Sequence, residues 1–240
     1  MFKKYIPIKV KYIIKRFLND LNRKGDNKIF CVSVQKTGTT SVGDFFKHFG
    51  YPVARWYDST NSNWSKFWHD GDFESIFKSK NFQSYQVFED GPWWYPEFYK
   101  VLYHRFPNSK FILFVRDSDS WYKSMIAHSK KGRIGDSKEH CKIYRREIDF
   151  YHKLGSTKDS NDKLDKFENH FSMINYKEHY KNIYEIRNRE IIDFFNEQSP
   201  KSLIVCKLED PHKWEKLGEF MEIQIPKDFK IHSNKSVKQN

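Results

Sequence analysis

The residues best suited to chemistry lie in a polar turn at 35–41, QKTGTTS, which holds one lysine, one glycine and four hydroxyl side chains. An apolar, β-branched run at 29–34 precedes the turn and predicts a buried strand. Apolar residues at helical spacing in 42–49 predict a helix after it. Because a helix N-terminus presents unpaired N–H groups and the positive end of the helix dipole, we interpret the turn as a candidate anion site. The alternative is an ordinary turn whose threonine or serine caps the helix.

The order of residues in this turn differs from that of a Walker phosphate-binding loop. The Walker pattern, G-x-x-x-x-G-K-[ST], places its lysine directly after the second glycine. Here Lys36 precedes Gly38, and no glycine occupies the first position of the pattern. This order argues against an ordinary ATPase or kinase, and an ATP-dependent phosphotransferase of the P-loop type is kept only as an alternative function.

Two further groups of polar residues follow predicted strands. Glu89 and Asp90 come directly after one such strand. Arg116 comes after 110–115, KFILFV, whose continuous apolar run is typical of a parallel sheet. A turn is predicted at 116–120 and a helix at 121–129, which holds Ser124, eight residues after Arg116. Since ligands of parallel α/β sheets bind at the carboxyl ends of the strands, we expect these residues and the polar turn on one edge of the sheet.

Strands and helices alternate along the chain, which predicts an α/β fold: a three-layer, doubly wound parallel sheet flanked by helices, like that of P-loop NTPases. Further strands are predicted at 51–54 and 202–206. The length of 240 residues suits one domain over 1–240, with a basic N-terminal segment at 1–26 and a polar tail at 232–240.

Two long stretches carry no recognisable motif. Residues 55–83 are rich in Trp, Asp, Ser, Asn and Lys, and we interpret them as an irregular, surface-lining segment with a short helical patch at 73–80. Residues 130–170 are charged, with helical pieces predicted at 137–153 and a low-complexity loop at 155–163. Such segments often carry specificity, so the sequence names no particular acceptor or ligand.

The chain carries a formal net charge of +12, which predicts an anionic partner: a nucleotide, a nucleic acid, an acidic polysaccharide or a membrane surface. Its three cysteines form neither a disulfide framework nor a metal-binding spacing, so we expect a reducing compartment, the cytoplasm, and no metal. The N-terminal segment has no apolar run long enough to span a bilayer. We interpret it as packing on the domain, with a peripheral membrane contact as the alternative.

Taken together, the motifs resemble those of the sulfotransferases that use 3′-phosphoadenosine 5′-phosphosulfate (PAPS). In that family a strand leads into a Lys-x-Gly-Thr-Thr-like loop and a helix, as at 35–41. A second family motif is a strand that ends in Arg with a Ser eight residues later, as in 111–124, FILFVRDSDSWYKS. A looser likeness lies in 207–210, KLED, and in the helix predicted after it. The resemblance extends from residue 28 to about residue 226 and is strongest to the bacterial and lower-eukaryotic branch.

The resemblance implies how the donor would bind. The loop would hold the 5′-phosphosulfate through backbone N–H groups and hydroxyls, and Lys36 would neutralise charge on the bridging oxygen as the S–O bond breaks. Arg116 and Ser124 would bind the 3′-phosphate. The loop residues assigned to the donor are Lys36, Thr37, Gly38, Thr39, Thr40 and Ser41. The Arg-Lys-Gly loop of cytosolic members is missing, and we consider residues 232–236 as a substitute.

Sulfuryl transfer to a hydroxyl also needs a base that removes the acceptor's proton. Cytosolic members of the family use a His two residues before a Pro, where this chain has Asp90 with Glu89 beside it. Because neighbouring strand residues point in opposite directions, only one of the two faces the cleft, and we prefer Asp90 with Glu89 close behind. The other interpretation makes both of them turn or N-cap acids. Trp93 and Trp94 either line the acceptor site or belong to the core.

The sequence therefore predicts a PAPS-dependent sulfotransferase that acts, without a metal, on a hydroxyl of a carbohydrate or another small acceptor. Catalysis is assigned to Lys36 together with Asp90 or Glu89. A noncatalytic polyanion-binding protein is a further alternative, favoured by the charge and the many aromatic residues. Because the basic residues are scattered and no RNA-binding signature occurs, we expect no nucleic acid partner.

Overall fold

The computed structural model describes residues 8–129, 135, 137–156 and 171–231. Within these residues, five parallel strands form one sheet in the order β2-β3-β1-β4-β5, flanked by helices. The strands are Ile29–Cys31 (β1), Val53–Ala54 (β2), Val87–Phe88 (β3), Lys110–Val115 (β4) and Leu203–Lys207 (β5). Each coincides with a predicted strand to within a few residues. The predicted α/β fold with a parallel sheet is confirmed.

Helices connect the strands along the chain. The described ones are Ile8–Asn22 (α1), Thr39–His48 (α2), Trp56–Asn61 (α3), Trp64–Asp70 (α4), Phe73–Phe77 (α5), Lys80–Ser84 (α6), Phe98–Arg105 (α7), Ser118–His128 (α8), Lys138–Ile143 (α9), Glu147–Ser156 (α10), Lys177–Gln198 (α11) and Lys213–Met221 (α12). Two short 3₁₀ turns, Met173–Tyr176 and Pro200–Ser202, precede α11 and β5. Of the described helices, α11 is the longest, with 22 residues.

The chain falls into two compact units. The first consists of Met1–Phe114, Lys201–Cys206 and Asp210–Asn240, and the second of Val115–Pro200 and Lys207–Glu209. The first unit therefore holds nearly all of the sheet, and the second holds α8 to α11. The single domain expected from the chain length stays a prediction.

Aromatic packing on β1 and β3 forms the centre of the first unit's core. The parallel register pairs Phe30 with Phe88, and their ring centroids lie 5.2 Å apart. Trp93 completes this group, with its ring centroid 4.7 Å from that of Phe88 and 5.8 Å from that of Phe30. All three side chains are fully buried. Because each large aromatic ring contributes about 1.5–3 kcal/mol when buried, the aromatic content of 18% gives a charged chain a substantial core.

The expectation of an irregular segment at 55–83 is wrong, although the helical patch predicted at 73–80 coincides with α5. Four short helices, α3 to α6, occupy it, and they bury Trp64, Trp68 and Phe82. Asp72, for example, directly precedes α5 and caps it, because its carboxylate accepts a hydrogen bond from the Ser75 N–H at 3.1 Å. Helices of five to seven residues are too short for apolar periodicity to be visible in a sequence, and they depend on tertiary packing for stability.

In the second unit, α8 packs on α11, where Trp121 stacks on Tyr184 with ring centroids 4.4 Å apart. Helix α8 begins three residues earlier than predicted, because the Asp117 carboxylate accepts a hydrogen bond from the Ser120 N–H at 2.8 Å and caps the helix. The expectation of a turn over 116–120 is therefore wrong for its last three residues.

Helix α1 lies on the first unit, as expected of the N-terminal segment. The Lys15 ammonium is 2.6 Å from the Asp58 carboxylate, and just beyond α1 the Lys24 N–H donates to the Gln86 side chain at 2.8 Å. In the described part of the chain, no helix is both long enough and apolar enough to cross a membrane.

Three predictions concern residues that the structure does not describe. They fall on the first seven residues of the basic segment, on most of the loop predicted at 155–163 and on the polar tail at 232–240, which includes the substitute phosphate contact. These predictions stay predictions.

Candidate active site

The polar turn follows β1 and is held by hydrogen bonds to β4. Beyond Cys31 the chain stays buried through Val34. The Ser33 hydroxyl donates to the Ile112 carbonyl at 3.2 Å and accepts a hydrogen bond from the Phe114 N–H at 2.7 Å. These two bonds position the start of the turn at the carboxyl end of β1.

The turn itself is closed by Thr37. Its N–H and its hydroxyl both donate to the Val34 carbonyl, at 3.3 and 2.6 Å. Lys36, with a φ of 69°, and Gly38, with a φ of 91°, both have left-handed backbones, which glycine adopts freely and lysine adopts at a cost. The Thr37 hydroxyl hydrogen is thus engaged inside the turn, and its contact with a donor stays a prediction.

Helix α2 begins at Thr39 with an N-terminus that no side chain caps. Gly38 is the N-cap, and its carbonyl accepts the Val42 N–H at 3.1 Å. The first N–H groups of an α-helix have no carbonyl one turn earlier to bind, which makes a helix start suited to an anion. Because Gly38 is the N-cap, the alternative of a threonine or serine cap is wrong, and the anion site stays a prediction.

The other loop residues assigned to the donor surround this helix start. Lys36, Gly38 and Thr40 are half-buried, whereas Thr39 and Ser41 are buried. The structure thus brings the predicted loop residues together around one helix N-terminus. A half-buried lysine at this point adds to the attraction for an anion, because its charge is less screened than that of a fully exposed one.

The Glu89 carboxyl group lies against α2. Glu89 directly follows β3, and 3% of the residue's surface is exposed. A Cβ atom added at Gly43 would lie 3.0 Å from Glu89 Cγ and 3.3 Å from Oε1, so only glycine leaves room for this side chain. Glu89 Oε2 is buried and has no hydrogen-bond partner within the described residues. An unpaired buried oxygen of this kind costs free energy, about 1–3 kcal/mol.

Burial raises the pKa of Glu89 to about 8, the negative charge of Asp90 raises it in addition, and the positive charge of Arg55 opposes the rise. A carboxyl group with a pKa near neutrality can both take up and release a proton under working conditions. A buried, unpartnered group with a strongly shifted pKa is also a common mark of a functional site. Glu89 is therefore suited to act as a general base.

Asp90 has different surroundings. Its backbone is left-handed, with a φ of 70°. Its Oδ1 accepts hydrogen bonds from the Gly91 N–H at 2.8 Å and the Trp94 indole N–H at 3.5 Å. The Asp90 carboxylate thus stabilises the turn after β3, whereas Oε2 of the neighbouring Glu89 has no hydrogen-bond partner within the described residues.

Arg55 is a residue of this site that the sequence analysis missed. Strands β2 and β3 pair in parallel, and the Glu89 N–H donates to the Ala54 carbonyl at 3.1 Å. Arg55 therefore leaves the sheet beside Glu89, and its guanidinium forms an ion pair with Asp44 on α2. The available signal was a basic residue directly after the short second strand.

In the second unit, Arg116 follows β4 and is held by Tyr184. The Tyr184 hydroxyl accepts a hydrogen bond from the Arg116 N–H and donates to the Arg116 carbonyl, both at 3.0 Å. The Arg116 guanidinium lies 3.5 Å from the Glu209 carboxylate, and Ser124 is half-buried on α8. The polar turn and the two acidic candidates belong to the first unit, and these residues belong to the second. Tyr184 has no local sequence signal, because it is remote along the chain.

Trp93 is a core residue. It is fully buried, and its ring stacks on Phe98 with centroids 5.9 Å apart. Of the two interpretations left open by the sequence, the core one applies to Trp93. Trp94 is also buried, and it donates its indole N–H to Asp90.

The three cysteines are free and buried. Burial raises the pKa of Cys31 to about 12 and that of Cys206 to about 11. These thiols stay protonated near neutral pH and behave as small apolar residues. Among the described residues, no group of three or more His, Cys, Asp or Glu side chains could hold a metal ion.

A family model described as a sulfotransferase domain matches residues 28–237. A comparison with curated proteins gave no match. Because the family match covers most of the chain, the chain belongs to the sulfotransferase family and is a PAPS-dependent sulfotransferase. This confirms the function class that the two paired motifs predicted, in place of a phosphotransferase or a noncatalytic protein.

Proposed function

We propose that this sulfotransferase moves the sulfuryl group of PAPS onto a hydroxyl of a carbohydrate or another small acceptor, with Glu89 as the base. The observation that carries the proposal is the buried Glu89 carboxyl, whose Oε2 has no partner within the described residues, packed against the helix whose N-terminus is uncapped. The carboxyl offers a proton acceptor, and the helix start offers an anion site.

The polar turn suits the phosphosulfate end of the donor. The first N–H groups of α2 would donate to its oxygens, and Lys36 would neutralise the charge that develops on the bridging oxygen. Arg116 would bind the 3′-phosphate through its planar fork and Ser124 through its hydroxyl, as the family motif implies. The Tyr184 hydroxyl would keep the Arg116 backbone in place for that contact.

The choice of Glu89 over Asp90 rests on their surroundings. A base needs a free lone pair and a pKa near the working pH. Glu89 meets both conditions, because Oε2 is unpartnered within the described residues and its pKa is about 8. The Asp90 carboxylate already accepts two hydrogen bonds in its own turn. We therefore reverse the order of preference that the sequence suggested.

The proposed reaction balances without a metal. The Glu89 carboxylate takes the proton of the acceptor hydroxyl while the hydroxyl oxygen forms a bond to sulfur. The bond between sulfur and the bridging oxygen of the 5′-phosphate breaks, and its electron pair goes to the phosphate. The products are the sulfated acceptor and adenosine 3′,5′-bisphosphate, and Glu89 then releases its proton to solvent.

Exposed aromatic side chains on the segment after β2 support a carbohydrate acceptor. Trp56 and Tyr57 begin α3, directly after Arg55 at the end of β2, and both are exposed. Aromatic faces of this kind stack on the apolar faces of sugar rings. Trp56→Ala is expected to raise the KM for such an acceptor while leaving donor binding unchanged.

The test is a transfer assay with radiolabelled PAPS and a panel of sugars, oligosaccharides and phenols. The wild type should label at least one sugar, and Glu89→Gln should lose far more activity than its matched control, Asp90→Asn. Calorimetry with adenosine 3′,5′-bisphosphate should show binding that Lys36→Ala weakens and Glu89→Gln retains. Absence of nucleotide binding by the wild type would overturn the donor assignment, and full activity of Glu89→Gln would overturn the base.

A cytoplasmic location is part of the proposal, and the three free cysteines support it. No nucleic acid partner is proposed. The membrane contact that was an alternative for the N-terminal segment concerns a different surface, the outward face of α1.

A further inference from the structure

Helix α1 is attached to the first unit by its polar face. Lys15 bonds to the Asp58 carboxylate at 2.6 Å, and just beyond the helix Arg23 donates to the Gln83 carbonyl at 3.3 Å. The side chains turned toward the unit are half-buried and polar: Tyr12, Arg16, Asn19 and Arg23. The contact of this helix with the domain therefore uses hydrogen bonds and charges.

The opposite face of α1 is apolar and exposed. Its side chains are Val10, Ile13, Ile14, Phe17, Leu18 and Leu21. At about 100° per residue they fall within an arc of roughly 140°, on the side away from Tyr12 and Asn19. Phe17 is 63% exposed and Leu21 is 67% exposed. An amphipathic helix of a globular domain normally buries this stripe against the core, and here the arrangement is reversed.

The charge of α1 is mainly positive. The helix contains four basic residues and a single acidic one, Asp20. In helical projection, Lys11 borders the apolar stripe on one side, and Asp20 borders it on the other. This surface complements an anionic one, in keeping with the net charge of +12.

We propose that α1 lies in the plane of an anionic lipid surface, with its apolar face among the acyl chains and Lys11 at the headgroups. An exposed apolar stripe on a helix of net positive charge is typical of interfacial helices. At 15 residues α1 is too short to span a bilayer, which takes about 20. A second copy of the chain fits less well, because each copy carries a net charge of +12 and its α1 holds four basic residues against one acidic residue, so two such surfaces repel. The inference does not depend on the proposed reaction.

The test is flotation of the full chain with vesicles of phosphatidylcholine alone or mixed with phosphatidylserine. The wild type should bind the anionic vesicles at least about tenfold more tightly than the neutral ones, and added salt should weaken the binding. The double variant Phe17→Ser/Leu21→Ser should bind at least about tenfold more weakly than the wild type. Ile148→Ser is the matched control, because it removes an apolar side chain that is 71% exposed on the second unit.

Because the substituted side chains are exposed, the double variant should unfold at the same temperature as the wild type. Lys11→Glu is a second variant that leaves the apolar stripe intact and should weaken binding to anionic vesicles only. No binding of the wild type to anionic vesicles, or equal binding by the double variant, would overturn the proposal. A lipid-independent dimer that the double variant abolishes, without any vesicle binding, would overturn it in favour of a second copy.

Discussion

Asp58 and Glu89 are both buried acidic residues of the first unit, but their surroundings differ. Asp58 has three donors within 3.1 Å: the Lys15 ammonium, the Tyr85 hydroxyl and the Arg55 N–H. Glu89 has a buried Oε2 without a partner in the described part of the chain, and its pKa is raised to about 8. Through these hydrogen bonds Asp58, on α3, connects α1 to the segment before β3. Glu89 Oε2 makes no such connection within the described residues.

The difference indicates two uses of a buried carboxyl group. A carboxylate with all its hydrogen bonds made contributes to the fold, and removing it leaves its partners unpaired. A carboxyl without partners costs free energy in the folded state, so it is retained where a ligand or a reaction supplies the missing contact. The comparison therefore predicts that Asp58 matters for stability and Glu89 for activity.

The largest effect is expected for Glu89→Gln, with kcat falling about 10²- to 10⁴-fold because an amide cannot take up the acceptor's proton. The assay is sulfuryl transfer from radiolabelled PAPS. Asp58→Asn, measured below its unfolding temperature, is the control and should keep kcat within about tenfold of the wild type. A Glu89→Gln variant as active as Asp58→Asn would contradict the assignment of Glu89 to activity and Asp58 to stability.

The second effect is on the pH dependence of stability. Glu89 has a folded pKa of about 8, above its unfolded value, so the unfolded state loses its proton first as pH rises. The free energy of unfolding of the wild type should therefore fall between about pH 4.5 and 8, and Glu89→Gln should gain roughly 5 kcal/mol relative to it over that range. Urea unfolding at several pH values measures this. A difference in unfolding free energy between Glu89→Gln and the wild type that shrinks with rising pH would contradict it.

The same titration should affect activity. Between about pH 4.5 and 8, kcat/KM of the wild type should rise with pH, because the proposed base acts in its deprotonated form.

The third effect concerns Asp58. Asp58→Asn should lower the free energy of unfolding by about 2 kcal/mol, because it weakens the buried bond from Tyr85. Lys15 contributes less, since its side chain is largely open to solvent. Tyr85→Phe removes the same bond from the other side and should cost about 1 kcal/mol. Urea unfolding near neutral pH is the measurement, and an Asp58→Asn variant as stable as the wild type would show that this carboxylate is dispensable.

The smallest effect is expected for Gly43→Ala. The new methyl group would meet the Glu89 side chain at 3.0 Å and displace it, at a cost of about 1 kcal/mol and a roughly tenfold loss of kcat. Gly155→Ala on α10 is the matched control, because nothing lies within 4 Å of its added Cβ. That control should be active and slightly more stable, since alanine favours a helix. Equal activity of the two variants would show that Glu89 tolerates displacement.

Several features of the site could be predicted from short stretches of sequence. The five strands have apolar runs that mark them, and the turn at 35–41 has the composition of an anion site. The start of α8 was predicted too late, although Asp117 is an N-cap with a local signal. Of the four helices within 55–83, only α5 was predicted, as the helical patch at 73–80, because helices of five to seven residues hold too few turns for their apolar periodicity to be recognised.

The sequence by itself determined the order of the elements, the polar turn and the family, because these depend on residue types at short spacings. Only the tertiary structure distinguishes the surroundings of Glu89 from those of Asp90, since hydrogen-bond partners and burial come from neighbours on other elements. It also decided that α1 presents its apolar face to solvent. Periodicity shows that a helix has an apolar face, but the contacts made by its other face determine where that face points.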